Sequence, residues 1–291
     1  MCWMYLKGIF GLLYPALQIN ATKMLSDFHT KVIERITSHV GVPLCPQRDL
    51  VLITGGSKGV GMELAQLFDT LHYKVVILDR RYPEDLRSCK NVSFYKCDVS
   101  DFEFTNVILD DIRLKFGIVS VYVNAVGLKV ITDKDIRGEF HMTSLMKSVY
   151  VGNLNILQSI VPNMIRQKRG YIVDIASTEG VFTTSGNGFY GCLQATKFQL
   201  HQGLVEDLSK QFVVSKYFGN GSVRCLLMVT SKPLNVTAKH DIQHARYIFN
   251  AIFHNRQGIT GASVVSNLKL SFRDVDWHWY QLLKHLFPDV K

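Results

Sequence analysis

The stretch LVLITGGSKGVGMELAQLFDTL, residues 50–71, decides the fold. It opens on LVLIT, a short apolar run that reads as a buried strand, and closes on VGMELAQLFDTL, whose apolar residues recur at helical spacing. Between them GGSKGVG supplies Gly55, Gly59 and Gly61. A strand passing through such a turn into a helix begins a parallel sheet. The glycines have distinct uses: a tight turn, close backbone approach to a pyrophosphate, and close packing of helix on sheet. The helix N-terminus then offers its amides to the phosphates. Asp79 ends the next apolar run, KVVILD, 18 residues beyond Gly61. An acid there can accept hydrogen bonds from both hydroxyls of an adenosine ribose. The turn predicts a dinucleotide site; a glycine turn without a ligand is the alternative.

Outward from that stretch the alternation repeats. VSFYKCD (92–98) reads as a third strand, FTNVILDDIRLKFG (104–117) as a helix and IVSVYVNA (118–125) as a fourth strand. A helix through residues 143–168 leads into YIVDIAS, and another from about 190 leads into VRCLLMV. The helix IQHARYIFNAIF precedes a final strand in GITGASVV. Strands alternating with helices of this length imply a parallel sheet covered on both faces. The predicted class is α/β, a Rossmann-type doubly wound parallel sheet in a single domain, residues 48–291. That domain carries a C-terminal helical tail.

Two segments precede it. Residues 1–24 are apolar and aromatic, uncharged from Gly8 to Thr22 and broken by Pro15. That is short of the roughly 20 apolar residues a spanning helix needs, so the preferred reading is a monotopic anchor in one leaflet. A helix packed on the domain is the alternative. Residues 25–47 read as an amphipathic helix and a connector marked by Pro43 and Pro46. In the tail, Trp277, Trp279 and Tyr280 precede Leu282, Leu283, Leu286 and Phe287. They read first as a helix docked on the core and second as a lipid-facing surface.

Composition narrows the rest. A chain of 291 residues with 47% hydrophobic and 20% charged residues buries a sizeable core and is not disordered. A net charge of +9 suits an anionic membrane or a phosphate-bearing cofactor, and without a long Lys/Arg run nucleic acid is not expected. Cys2, Cys45, Cys89, Cys97, Cys192 and Cys225 are scattered, so neither a disulfide framework nor a zinc site is expected. The histidines form no H-E-x-x-H, and no metal is expected. Asp79 repels a 2′-phosphate and favours NAD, whereas Lys58, Arg80 and Arg81 would neutralise one and favour NADP. The crowding of cations tips the reading toward NADP, with NAD the alternative. Asp98 would either meet the adenine amine or cap the following helix.

The spacing T-G-x-x-x-G-x-G from Thr54 to Gly61 resembles the short-chain dehydrogenase/reductase family. NAVG (124–127), GYIVDIAS (170–177) and QATKFQLHQGL (194–204) resemble further elements of that family. The likeness covers roughly residues 48–266. It implies a cofactor site that includes Thr54, Gly55, Ser57, Lys58, Gly59, Gly61, Asp79, Arg80, Asp98 and Asn124. It also implies a catalytic set of Ser177, Tyr190 and Lys197, with Lys197 holding the nicotinamide ribose as well. In the family, Tyr transfers the proton, Lys lowers its pKa, and Ser hydrogen-bonds the substrate oxygen. A free tyrosine titrates near pH 10, so it needs a nearby cation to act as a base.

This sequence departs from the pattern. Tyr190 stands seven residues before Lys197, not four; Leu193 is four before Lys197, and the neutral Gln194 is four after Tyr190. Val149 occupies the place of the family's helix Asn, and Thr230-Ser231 that of its Pro-Gly. Seven helical residues span about 10.5 Å, so Tyr190 reaches Lys197 only if the helix begins near Cys192 and Tyr190 lies on the loop before it. Two functions remain. One is a membrane-associated NAD(P)-dependent oxidoreductase moving a hydride between nicotinamide and a lipophilic alcohol or ketone. The apolar N-terminus and the LLKHLFPDVK ending suggest the retinol and 17β-hydroxysteroid dehydrogenase branch. The expected setting is the cytosolic face of the endoplasmic reticulum or a lipid droplet, with a homo-oligomer allowed. The other is a catalytically degenerate fold acting as a dinucleotide-binding or scaffold protein.

Overall fold

Each apolar run becomes a strand of one sheet. The structure, a computed structural model, describes residues 43–127, 132–135, 138–215, 223–230, 238–262 and 270. The proposed anchor (1–24), most of the 25–47 segment and nearly all of the aromatic tail lie outside the described residues. The strands are β1 (Leu50–Thr54), β2 (Lys74–Asp79), β3 (Val92–Lys96), β4 (Val119–Asn124), β5 (Gly170–Ser177), β6 (Val223–Thr230) and β7 (Gly258–Gly261). They lie in the order β3-β2-β1-β4-β5-β6-β7 and every neighbouring pair is parallel. β1, β4 and β5 are buried along their whole length. That is why they read as continuous apolar runs and not as an alternating pattern.

The helices are α1 (Gly59–Thr70), α2 (Phe102–Phe116), α3 (Gly138–Met146), α4 (Gly152–Arg166), α5 (Gly188–Ser215) and α6 (Ala238–Phe253). Val51, Ile53, Val121, Val123 and Val173 pack with Phe68 of α1 and Ile248 and Ile252 of α6 on one face. Leu50, Leu52, Tyr122 and Ile172 pack with Ile112 of α2 and Ile156 and Ile160 of α4 on the other, where Leu208 of α5 joins them. The doubly wound architecture predicted from the alternation is the one observed. Reversal of strand order between β1 and β4 opens a crevice at their carboxyl ends, the place where such sheets bind ligands.

One helix differs from expectation, and the start of another decides whether Tyr190 can reach Lys197. The one expected at 143–168 begins earlier, at Gly138, and is interrupted by a π turn over Lys147–Val151. A widened turn of this kind adds a residue to the helical circuit, and here Val149, within it, is buried. The helix that carries Tyr190 begins at Gly188, not near Cys192. The carboxylate of Asp133 accepts hydrogen bonds from the amides of Gly188 (3.1 Å) and Phe189 (3.0 Å), which anchors the helix start ahead of Tyr190. Tyr190 is therefore helical, and the loop geometry that would have let it fold over Lys197 does not form.

Helix α5 also buries His201, whose pKa burial pulls down to about 4 from 6.5. The unfolded chain takes up this proton below pH 6.5 and the folded one only near pH 4. Stability from this residue is thus complete above pH 6.5 and is lost as pH falls toward 4, by on the order of 3 kcal/mol. Urea titrations at several pH values should show this slope, and it should flatten in His201→Gln. An identical slope in the variant would show that His201 does not titrate this way.

Candidate active site

The glycine turn folds as its sequence requires. Gly55 has φ +72°, and a Cβ there would lie 2.8 Å from the backbone carbonyl of Ala125. A Cβ on Gly61 would lie 2.6 Å from the Gly55 oxygen. Backbone cannot give way as a side chain can, so neither position tolerates another residue. No side chain caps α1 and no acid occupies its first turn. Its N-terminal amides are left for an anion, and an anion is what that end of a helix favours.

A cavity of about 310 Å³ lies over this turn. Gly55, Ser57, Lys58, Gly61, Asp79, Arg80, Arg81 and Asp98 line one side of it, and Ala125, Val126 and Gly127 another. Gly59 sits in the turn at φ +59°. Asp79 accepts hydrogen bonds from the amides of Ser57 (3.0 Å) and Arg81 (3.1 Å), so its carboxylate ties the glycine turn to the end of β2. Arg80 lies 3.7 Å from Asp98. Asp98 itself accepts from the Ser100 amide and hydroxyl. Of its two expected roles, capping falls instead to Asp101, which accepts from Phe104 at the start of α2.

Thr54 and Asn124 lie beneath the cavity. The Thr54 hydroxyl donates to Asn124 Oδ1 at 3.2 Å, and Asn124 Nδ2 donates to Asp174 Oδ1 at 2.7 Å. Tyr122 donates to Asn153 Oδ1 (2.8 Å), and Asn153 Nδ2 donates to the same Asp174 oxygen (3.1 Å). Asp174 is thus the hub of a buried polar cluster joining β4, β5 and α4. Burial raises its pKa, opposed first by the charge of Lys197 and then by the Asn124 and Asn153 hydrogen bonds. The signal for it was a charged residue inside the apolar run YIVDIAS.

Two of the three residues expected to carry catalysis, Ser177 and Tyr190, meet at the end of β5; Lys197 does not join them. Ser177 is its last residue, and its hydroxyl accepts from the Glu179 amide at 3.2 Å. Tyr190, in the first turn of α5, is 1% exposed. Burial pushes its pKa up to about 12; a hydrogen bond with Ser177 opposes this, and the charge of Glu179 adds to it. The structure therefore brings Ser177 and Tyr190 together.

Lys197 lies two turns further down α5. Its ammonium donates to the carbonyl oxygens of Val126 (2.7 Å) and Ile175 (2.8 Å). Burial lowers its pKa to about 8, against the opposing charge of Asp174. Between the two stands Gln194, fully buried, which donates to Gly127 O at 2.9 Å and accepts from the Ser177 amide at 3.0 Å. Sequence reasoning saw only its neutrality. Val149, at the family asparagine's place, packs on Gly127: a Cβ there would lie 2.4 Å from a Val149 methyl. Thr230 ends β6 with its hydroxyl on Ala176 O at 3.3 Å; Ser231 lies outside the described residues.

A larger cavity, about 950 Å³, runs between α4 and α5 and is lined mainly by apolar residues such as Leu154, Leu157, Leu200 and Leu204. None of Ser177, Tyr190, Gln194 or Lys197 lines it. Size alone does not locate the chemistry here.

A parallel sheet in this order, with a glycine cradle over an uncapped helix and a Ser–Tyr pair at the end of β5, defines a Rossmann-type protein of the dinucleotide-binding class. The chain belongs to the short chain dehydrogenase family, whose model matches residues 49–217. An uncharacterized oxidoreductase of Saccharomyces cerevisiae is 23% identical over 278 residues, covering 91% of this chain and 90% of that protein. The crystal structure of a short-chain dehydrogenase from Streptomyces avermitilis matches with a TM-score of 0.66 at 18% identity, over 83% of this chain and 98% of that one. ElxO with NADP bound matches with a TM-score of 0.61 at 20% identity, over 74% and 97%.

Proposed function

We propose that this protein is an NAD(P)-dependent reductase of a lipophilic ketone or aldehyde, working at a membrane or lipid-droplet surface. The observation that carries the catalytic part is the buried Ser177–Tyr190 pair at the carboxyl end of β5, close to the loop that floors the cavity. The cavity supports dinucleotide binding through its glycine cradle and through Lys58, Arg80 and Arg81, which are exposed near a bound phosphate's place. Those cations favour NADP, the cofactor held by ElxO. Membrane attachment rests on the uncharged stretch from Gly8 to Thr22 and the net charge of +9. Among the described residues no helix is long and apolar enough to cross a membrane, and a monotopic anchor needs none.

When bound, the reduced dinucleotide supplies the hydride that reaches the carbonyl carbon. Ser177 holds the carbonyl oxygen, and Tyr190 gives that oxygen its phenolic proton, so the product is an alcohol and the phenolate is reprotonated from water. A tyrosine titrating near 12 is fully protonated at neutral pH. It is a poor base but a sufficient acid toward a developing alkoxide, which suits it to the reductive half of the reaction at neutral pH. Lys197, committed to two carbonyls, holds the loop and β5 in register beneath the pair.

The testing experiment is a thermal-shift titration with NADPH and NADH, with Lys58→Glu as control, an exposed cavity residue whose reversed charge repels phosphate without filling the glycine turn, followed by NADPH consumption over a panel of lipophilic carbonyls. Ligand at a hundred times its Kd should stabilise by about 2.7 kcal/mol, a rise of several degrees in Tm that the control abolishes. Folded protein that responds to neither dinucleotide would refute the proposal.

A further inference from the structure

We infer that Gln194 is the positioning residue of this site: its side-chain amide fixes Ser177 to the cofactor-cavity loop, and through Ser177 it aligns Tyr190. The inference rests on the reductase reading above and extends it to a residue that touches neither substrate nor cofactor.

Tyr190, Gln194 and Lys197 recur at intervals of four and three residues, so they form one stripe on α5. Each rung of the stripe grips the ends of β4 and β5 differently. Tyr190 bonds to the Ser177 side chain. Gln194 accepts from the Ser177 amide and donates to Gly127 O. Lys197 donates to Val126 O and Ile175 O. Gly127 and Val126 also line the cofactor cavity. The middle rung therefore joins the cavity floor to the residue that holds the substrate oxygen.

The chemistry of that rung is specific to an amide. The buried Ser177 N–H needs an acceptor and the Gly127 carbonyl needs a donor. A carboxamide supplies both in one group. A lysine, which the family resemblance places four residues after the tyrosine, has donors only and would orphan the Ser177 amide at a cost of about 1–3 kcal/mol. A carboxyl group satisfies both partners while protonated and fails at Gly127 O once ionised. The charged groups that face this region are Glu179 from the turn after β5, Asp133 at the start of α5, and Lys197 with Asp174 below. Glu179 accepts from Thr184 and Asp133 from the α5 amides, and Lys197 is held by backbone carbonyls.

The test uses full-length protein with Gln194→Glu and Gln194→Met, with Tyr190→Phe as reference. Gln194→Met should keep the thermal shift with dinucleotide and the KM for carbonyl, lose 10- to 100-fold in kcat, and speed exchange of the Ser177 amide but not of its β5 neighbours. Gln194→Glu should approach wild-type kcat at low pH and lose it as the introduced carboxyl ionises, a descending limb absent from the wild type. Wild-type kcat in Gln194→Met would overturn the inference. So would a joint loss of kcat, dinucleotide shift and Tm in both variants, which marks a residue that only holds the fold. If wild-type protein binds dinucleotide but reduces no carbonyl, the reductase reading fails by itself. The amide-exchange result then decides whether Gln194 holds Ser177.

Discussion

Replacing Tyr190 by Phe should abolish carbonyl reduction by roughly 10²–10⁴-fold in kcat and leave dinucleotide affinity within a factor of two. The phenol hydrogen-bonds Ser177, and Tyr190 is not among the residues that line the cofactor cavity, so its loss removes the proton and not the cofactor site. Tyr190 is 1% exposed and the substitution deletes only its hydroxyl. The Ser177 hydroxyl keeps its bond from the Glu179 amide. Stability should therefore move by about 1 kcal/mol at most, the usual net worth of one hydrogen bond. Steady-state kinetics beside a dinucleotide titration separate the outcomes. Turnover unchanged in Tyr190→Phe would mean that another group supplies the proton.

The second large effect is on stability. Asp174→Ala should cost roughly 3–5 kcal/mol, because it removes one partner from a buried charged cluster. Asn124 and Asn153 would each lose an acceptor, and Lys197 would keep its burial without its counter-charge. Since Asp174 now raises the Lys197 pKa, removing it drives that pKa further below about 8. Urea unfolding at pH 7 measures the loss. The double variant Asp174→Leu/Lys197→Met should recover much of it, as paired removal of buried charges often does. Equal losses in the single and double variants would show that the two side chains do not interact.

How much of this was legible beforehand depended on whether a feature is local. The glycine turn and the alternation of strand and helix are written in consecutive residues, and they predicted the sheet, the turn of Gly55, Gly59 and Gly61, and Asp79 at the end of β2. The start of α5 near residue 190 was legible, but what anchors it ahead of Tyr190 was not, because Asp133 lies some 55 residues upstream. Gln194 looked like a lost lysine because its partners, Ser177 and Gly127, are 17 and 67 residues away. Asp174 drew no attention in the sequence, and only the fold shows that Asn124, Asn153 and Lys197 converge on it. Periodicity reports which face of an element is buried and says nothing of which polar groups meet there.

The cluster around Asp174 also sets a timetable for folding during synthesis. β1, β2 and β3 are complete once about residue 96 has left the ribosome, and they pair with one another. β5 follows much later, and its central carboxylate has no cation until Lys197 emerges. At 5–20 residues per second that interval is roughly one to five seconds. Over those seconds burying β5 would leave the Asp174 carboxylate without its cation, so the second half of the sheet is expected to close only once α5 packs. A chain stalled with β5 outside the exit tunnel and Lys197 still inside it should expose that strand to proteases, and one stalled after α5 has emerged should not.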